Sequence, residues 1–155
     1  MSNMRKYQKY LKVVAVVTGA ALMIYGIGVL LMNQLHQNNN GLLTINGNKI
    51  TIEIAKSSQK KSEGLCCRDS LPDDHGMLFV YDQPGDYRFW MKDTKIPLDM
   101  IWIDSNKQIV HIEEDVQPSS YPKSFGSNDP AQYVLEINAG FVKKYQILKR
   151  DNVAF

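Results

Sequence analysis

The sequence predicts an α+β domain, mostly antiparallel and barrel-like, with two short helices, preceded by one N-terminal transmembrane helix. Three observations carry this expectation. Residues 13–32 hold no charge, several runs after residue 42 alternate apolar and polar side chains, and only two later stretches read as helix.

VVAVVTGAALMIYGIGVLLM, residues 13–32, is 20 residues long. As a helix it spans about 30 Å, the thickness of a bilayer's hydrocarbon core. Arg5, Lys6, Lys9 and Lys12 precede it without any acid, which predicts a cytoplasmic N-terminus and a domain outside. A cleaved signal peptide is the alternative, but the apolar run is longer than a usual signal core and no small-x-small site ends it. The expected organisation is a basic tail over 1–12, an anchor over 13–32, an Asn-rich linker over 33–41 and an extracytoplasmic domain over 42–155.

Four of the 18 basic residues lie in the tail, leaving 14 against 16 acidic ones, a net of −2 for the rest. That balance gives no general attraction to nucleic acid.

Asn46-Gly47 sits between two β-rich runs and predicts a type I′ hairpin. Ser57 or Ser58 caps a short helix over 59–67. Residues 76–82 form a buried strand, and 83–86, with Pro-Gly, a turn. Tyr87–Met91 is a strand, Lys92-Asp93-Thr94 a turn, and 96–103 the returning strand, with Pro97 near its start. Strands follow over 108–113 and 131–137, a long polar loop over 114–130, a helix over 139–145 and an edge strand over 152–155. Leu65, Leu78, Val80, Phe89, Met91, Leu98, Met100, Trp102, Ile109, Val134 and Leu135 are the expected core. They face both sides of the sheet, which a barrel-like curl would cover.

Four blocks carry a family resemblance: GLCCRDSL, DDHGMLFVYD, FWMKDTKIPLDMIWID and YVLEINAG. Together they resemble the family called domain of unknown function 192, over about residues 43–154. The resemblance implies a compact β-rich domain, often behind a signal or anchor, and no established activity. Three features depart from its pattern. Cys66 and Cys67 replace a methionine and a variable residue, Asp93 replaces asparagine, and Arg150 stands where glycine is usual.

The third block supplies most of the candidate binding site: Trp90, Lys92, Asp93, Thr94 and Asp99, with Arg68 from the first block. Strand alternation puts Trp90 and Lys92 on one face and Phe89 and Met91 on the other. An aromatic ring beside a cation and carboxylates suits a polar small molecule or a sugar. The structural reading is that Trp90 packs inward, Asp93-Thr94 only closes the turn, and Arg68 pairs with Asp99 or Glu136.

No catalytic residue is assigned. Asp99 with Glu136 could form a glycosidase pair, and His75 beside Asp74 a general base, but no nucleophile elbow, phosphate loop or dinucleotide fingerprint occurs. Two adjacent cysteines and three unspaced histidines fall short of a zinc site, so no metal or cofactor is expected. Cys66 and Cys67 read as small core residues, with a strained vicinal disulfide or a bridge to another chain as alternatives. The leading expectation is thus a membrane-anchored module that binds a small polar molecule or an envelope polymer. An envelope-directed hydrolase and a purely structural domain are the alternatives.

Overall fold

The computed structural model describes residues 18–30 and 40–155. Residues 18–30 are helical, and among the described residues no helix is long and apolar enough to cross a membrane. The expected tail over 1–12, the remainder of the anchor and nearly all of the linker lie outside the described residues.

The domain is β-rich with short helices, as an α+β reading requires. Strands β1 (Asn40–Ile45) and β2 (Asn48–Ala55) form the expected hairpin. Its turn places Asn46 at φ +50° and Gly47 at φ +80°, the pair of positive angles that Asn-Gly accepts. Helix α1 (Ser58–Glu63) is capped by Ser57, whose side chain accepts from the Lys60 N–H. It stops at Gly64 instead of running on to residue 67, because Gly64 takes φ +55° and turns the chain out of the helix.

Strand β3 (His75–Gly85) runs through the stretch read as a turn. Its pairing with β8 (Ala131–Asn138) is interrupted between Val80 and Gly85, and Pro84 occupies that gap, where a missing N–H breaks no ladder bond. β4 (Phe89–Trp90) is shorter than expected and leaves the main sheet to pair with β7 (Ser124–Phe125). β5 (Leu98–Ile103), β6 (Ile109–Val116), β8 (Ala131–Asn138), helix α2 (Phe141–Lys144) and β9 (Val153–Ala154) complete the domain. The loop expected over 114–130 is therefore partly structured, by the end of β6, a 3-10 turn at Pro118–Ser120 and β7.

The main sheet has the order β6-β5-β8-β3-β2-β1-β9, with only β2 and β3 parallel. Its two edges meet: Gln108 bridges Asn152, and the Val153 N–H donates to Lys107 O at 2.8 Å. The sheet is thus curled in a barrel-like way, with apolar clusters on both faces. One contains Leu43, Ile52, Leu78, Ile101, Leu135 and Phe141, and the other Leu65, Phe79, Phe89, Met100, Trp102 and Val134. Every expected core residue is buried except Val80, which is partly buried. β5 is buried at all six positions because it contributes to both clusters.

Candidate functional site

The register across the sheet explains the site. Glu53 pairs with Met77, Met77 with Glu136, and Glu136 with Met100. These four residues therefore form a row across β2, β3, β8 and β5 on one face. Glu136 is only 5% exposed, and Leu65, Phe79 and Phe89 surround that face. The backbone N–H of Leu65 donates to its carboxyl. Burial outweighs this bond and the nearby Arg68 charge, so the carboxyl is pushed up to about 8. Burial thus favours the protonated form of Glu136, which offers an O–H.

Above Glu136 lies a cleft of about 100 Å³. α1 and Gly64 form one wall, and the strand and turn from Arg88 to Thr94 the other. Lys61, Arg88 and Lys92 bring three basic side chains to it, and Glu63 and Glu136 two acidic ones. Lys61 sits 4.2 Å over the Tyr81 ring, and Arg88 donates to the hydroxyl and carbonyl of Ser124 and pairs with Asp86 at 3.9 Å. The Lys92 ammonium has no hydrogen-bond or ion-pair partner among the described residues. Glu63 accepts from Gln59 at 2.9 Å. Burial pushes the Tyr81 hydroxyl, on another wall of the cleft, up to about 12.

The six expected residues divide. Trp90, Lys92 and Thr94 line the cleft. Trp90 is 56% exposed while Phe89 and Met91 are buried, so strand alternation places the indole outward. Thr94 also bonds back to the Lys92 carbonyl. Asp93 sits at the turn with φ +55°, a conformation that short polar side chains tolerate, and its carbonyl accepts from the Cys67 N–H.

Arg68 does not pair with Asp99 or Glu136 by hydrogen bond. It forks onto Glu53, at 2.5 and 2.9 Å, which shares the row with Glu136. That bond holds the guanidinium pKa above its usual value. Asp99 is wholly buried on the opposite face. Its oxygens accept from the backbone N–H groups of Asp115 and Val142, both at 2.9 Å. Asp99 pairs with Ile137 and Glu136 with Met100, adjacent register positions whose side chains point to opposite faces. The two carboxylates therefore share no cleft, and the glycosidase spacing is not built here.

Cys66 and Cys67 are not core residues. They are bonded to each other, Cys66 half-buried and Cys67 exposed, with Cys67 at φ +68°. The turn after Leu65 brings the pair to the surface, where Leu65 bonds to Glu136 on the cleft floor and Cys67 to the turn at Asp93. Among the described residues no cluster of metal-ligating side chains occurs.

Sequence reasoning missed Lys61 and Arg88, and weighed Glu136 only as an ion-pair or catalytic partner. The one signal for Glu136 is an acid inside the apolar strand YVLEI.

Fold and cleft define a small β-rich domain with a basic rim over a buried acid. The chain belongs to the DUF192 family: the model of that family, described as "Uncharacterized ACR", matches residues 41–155. None of the curated proteins matches. A crystal structure of a candidate transcription regulator from Sinorhizobium meliloti 1021 is similar at 34% identity and a TM-score of 0.68, over 73% of this chain and 89% of that one. A protein of unknown function from Novosphingobium aromaticivorans DSM 12444 is similar at 29% identity and a TM-score of 0.70, over 75% and 85%.

Proposed function

We propose that this protein is a membrane-anchored, extracytoplasmic module that binds a small polar ligand or part of an envelope polymer. The observation that carries the reading is the cleft, where Glu136 forms the floor and Lys61, Arg88, Lys92 and Trp90 the rim. With Arg88 paired to Asp86, Lys61 and Lys92 stand against Glu63, and a protonated Glu136 leaves a net positive, hydrogen-bonding recess suited to a ligand with negative charge. The anchor is supported by the uncharged run over 13–32, its basic flank, and the exposed Leu22, Met23, Ile24, Tyr25 and Leu30 of the described helix.

A regulator role, as described for the Sinorhizobium meliloti protein, has no electrostatic basis in this chain, whose residues after the anchor carry a net charge of −2.

The test is a thermal-shift screen of the full chain in detergent micelles against sugars, peptides and metal salts. A ligand at 100 times its Kd stabilises by about 2.7 kcal/mol, a midpoint rise of roughly 10 °C. A flat response across the panel rejects the binding reading. The anchor is tested separately: the protein should stay with membranes through alkaline carbonate extraction, and its release would reject anchoring.

A further inference from the structure

The cleft is too small to enclose a whole ligand. At about 100 Å³ it falls well below the roughly 300 Å³ or more of sites that bury small molecules. It fits one functional group, and the rest of the ligand must lie outside.

What lies outside is aromatic. The exposed Trp90 ring borders the cleft and meets the Tyr121 ring edge-on at 6.0 Å, and Tyr121 is itself 46% exposed. The other tryptophan, Trp102, is fully buried and donates its indole N–H to Tyr87 O. Trp90 therefore stands outward although the same domain seats another indole in its core. Its backbone explains the direction: in the β4–β7 ribbon Phe89 and Phe125 pair inward, so the next residue must project to solvent.

Deepening the ligand-binding reading above, and resting on it, we propose that the cleft and the Trp90–Tyr121 pair form one site for an acidic saccharide. The sugar's carboxylate enters the recess between Lys92 and Lys61, beside an Arg88 already held by Asp86 and Ser124, and its ring lies against Trp90. Charge selects the group inside the cleft and the aromatic face selects the ring outside it. The Glu136 O–H on the floor donates to the same carboxylate, and the protonated form removes the repulsion an ionised acid would bring. The acidic sugar can be a free monosaccharide or one unit of a polymer, since both present the same ring and carboxylate.

The experiment is calorimetric titration of the full chain in detergent micelles at pH 6.5. The probes are galacturonate, trigalacturonate, galactose and acetate. Galacturonate is expected to bind, with galactose and acetate each about tenfold weaker or worse, since each lacks one of the two contacts. Trigalacturonate binding tenfold tighter identifies a polymer as the source, and equal affinity identifies the free sugar. Lys92→Gln and Trp90→Ala should each cost about tenfold, Trp90→Phe should retain most affinity, and Leu148→Ala, exposed elsewhere, should change nothing. Galactose or acetate binding as well as galacturonate overturns the proposal, as does Trp90→Ala binding normally. If galacturonate fails while another compound in the thermal-shift panel binds, this inference falls and the broader function stands. If nothing binds, both fall.

Discussion

Asp99 and Glu136 are two buried acids on neighbouring strands, one register position apart, and the fold treats them oppositely. Asp99 faces the side closed by α2 and accepts two backbone N–H bonds, from Val142 in α2 and from Asp115 at a positive-φ residue of β6. Glu136 receives one backbone bond and faces a cleft. Burial alone therefore does not mark function. What distinguishes the two is whether the protein spends the carboxylate's acceptor capacity on its own backbone.

The hardest test of that contrast is Asp99→Ala. It leaves the buried Val142 N–H and the part-buried Asp115 N–H without their acceptor, so about 2–4 kcal/mol of stability should be lost. Asp99→Asn keeps one carbonyl oxygen and should lose about half as much. Chemical denaturation of both variants reads this directly, and a loss below about 1 kcal/mol for the alanine variant would remove Asp99's structural role.

Glu136 should instead reveal itself through pH. Its folded value is raised to about 8 from an ordinary 4.5, so between these limits the folded state holds a proton that the unfolded chain has released. Its contribution is complete below about 4.5, declines as pH rises through this window, and is gone above about 8. The decline should be on the order of a few kcal/mol. Glu136→Gln cannot ionise and should be flatter across the window and more stable than the parent above pH 8. Parallel slopes for the two proteins would mean that Glu136 is ionised in the fold.

Arg68 sharpens the comparison at smaller cost. Its fork onto Glu53 is about one-third exposed on both sides, 32% and 31%, so Arg68→Ala should lose only about 1–2 kcal/mol. Its charge also lowers the Glu136 pKa. Removing it should therefore move the upper edge of the pH window upward, a shift that a purely structural ion pair with no influence on Glu136 would not produce.

What could be read from the sequence was what depends on neighbours along the chain. The Asn46-Gly47 turn, the cap at Ser57, and the outward Trp90 beside inward Phe89 all follow from local conformation or strand alternation. The site depended on register between distant strands. Arg68 reaches Glu53 because β2 runs parallel to β3 and aligns Glu53 with Met77 and Glu136, a pairing with no signature within either strand. Asp99, counted with Trp90 because only nine residues separate them, lies on the other face because it stands one position before Met100 on β5, and alternation turns it away from Glu136. Cys66 and Cys67 read as core because cysteines often are, but a positive φ at Cys67 turns them to the surface.

The smallest expected effect on stability is also the one that separates packing from recognition in the densest stretch of the chain. Trp90 has 56% of its surface exposed, touches Tyr121 only by its edge, and has no hydrogen-bond partner for its indole N–H among the described residues. Trp90→Ala should therefore change the unfolding free energy by no more than about 0.5 kcal/mol. Trp102 fills the core between Phe89 and His111 with its N–H bonded, so the same change there opens a cavity and should cost about 3–5 kcal/mol. If Trp90→Ala destabilises as much as Trp102→Ala, the indole is a structural roof over Leu65 and Phe79. If its stability is unchanged while affinity for an acidic sugar falls, the large exposed aromatic surface is explained by what it holds.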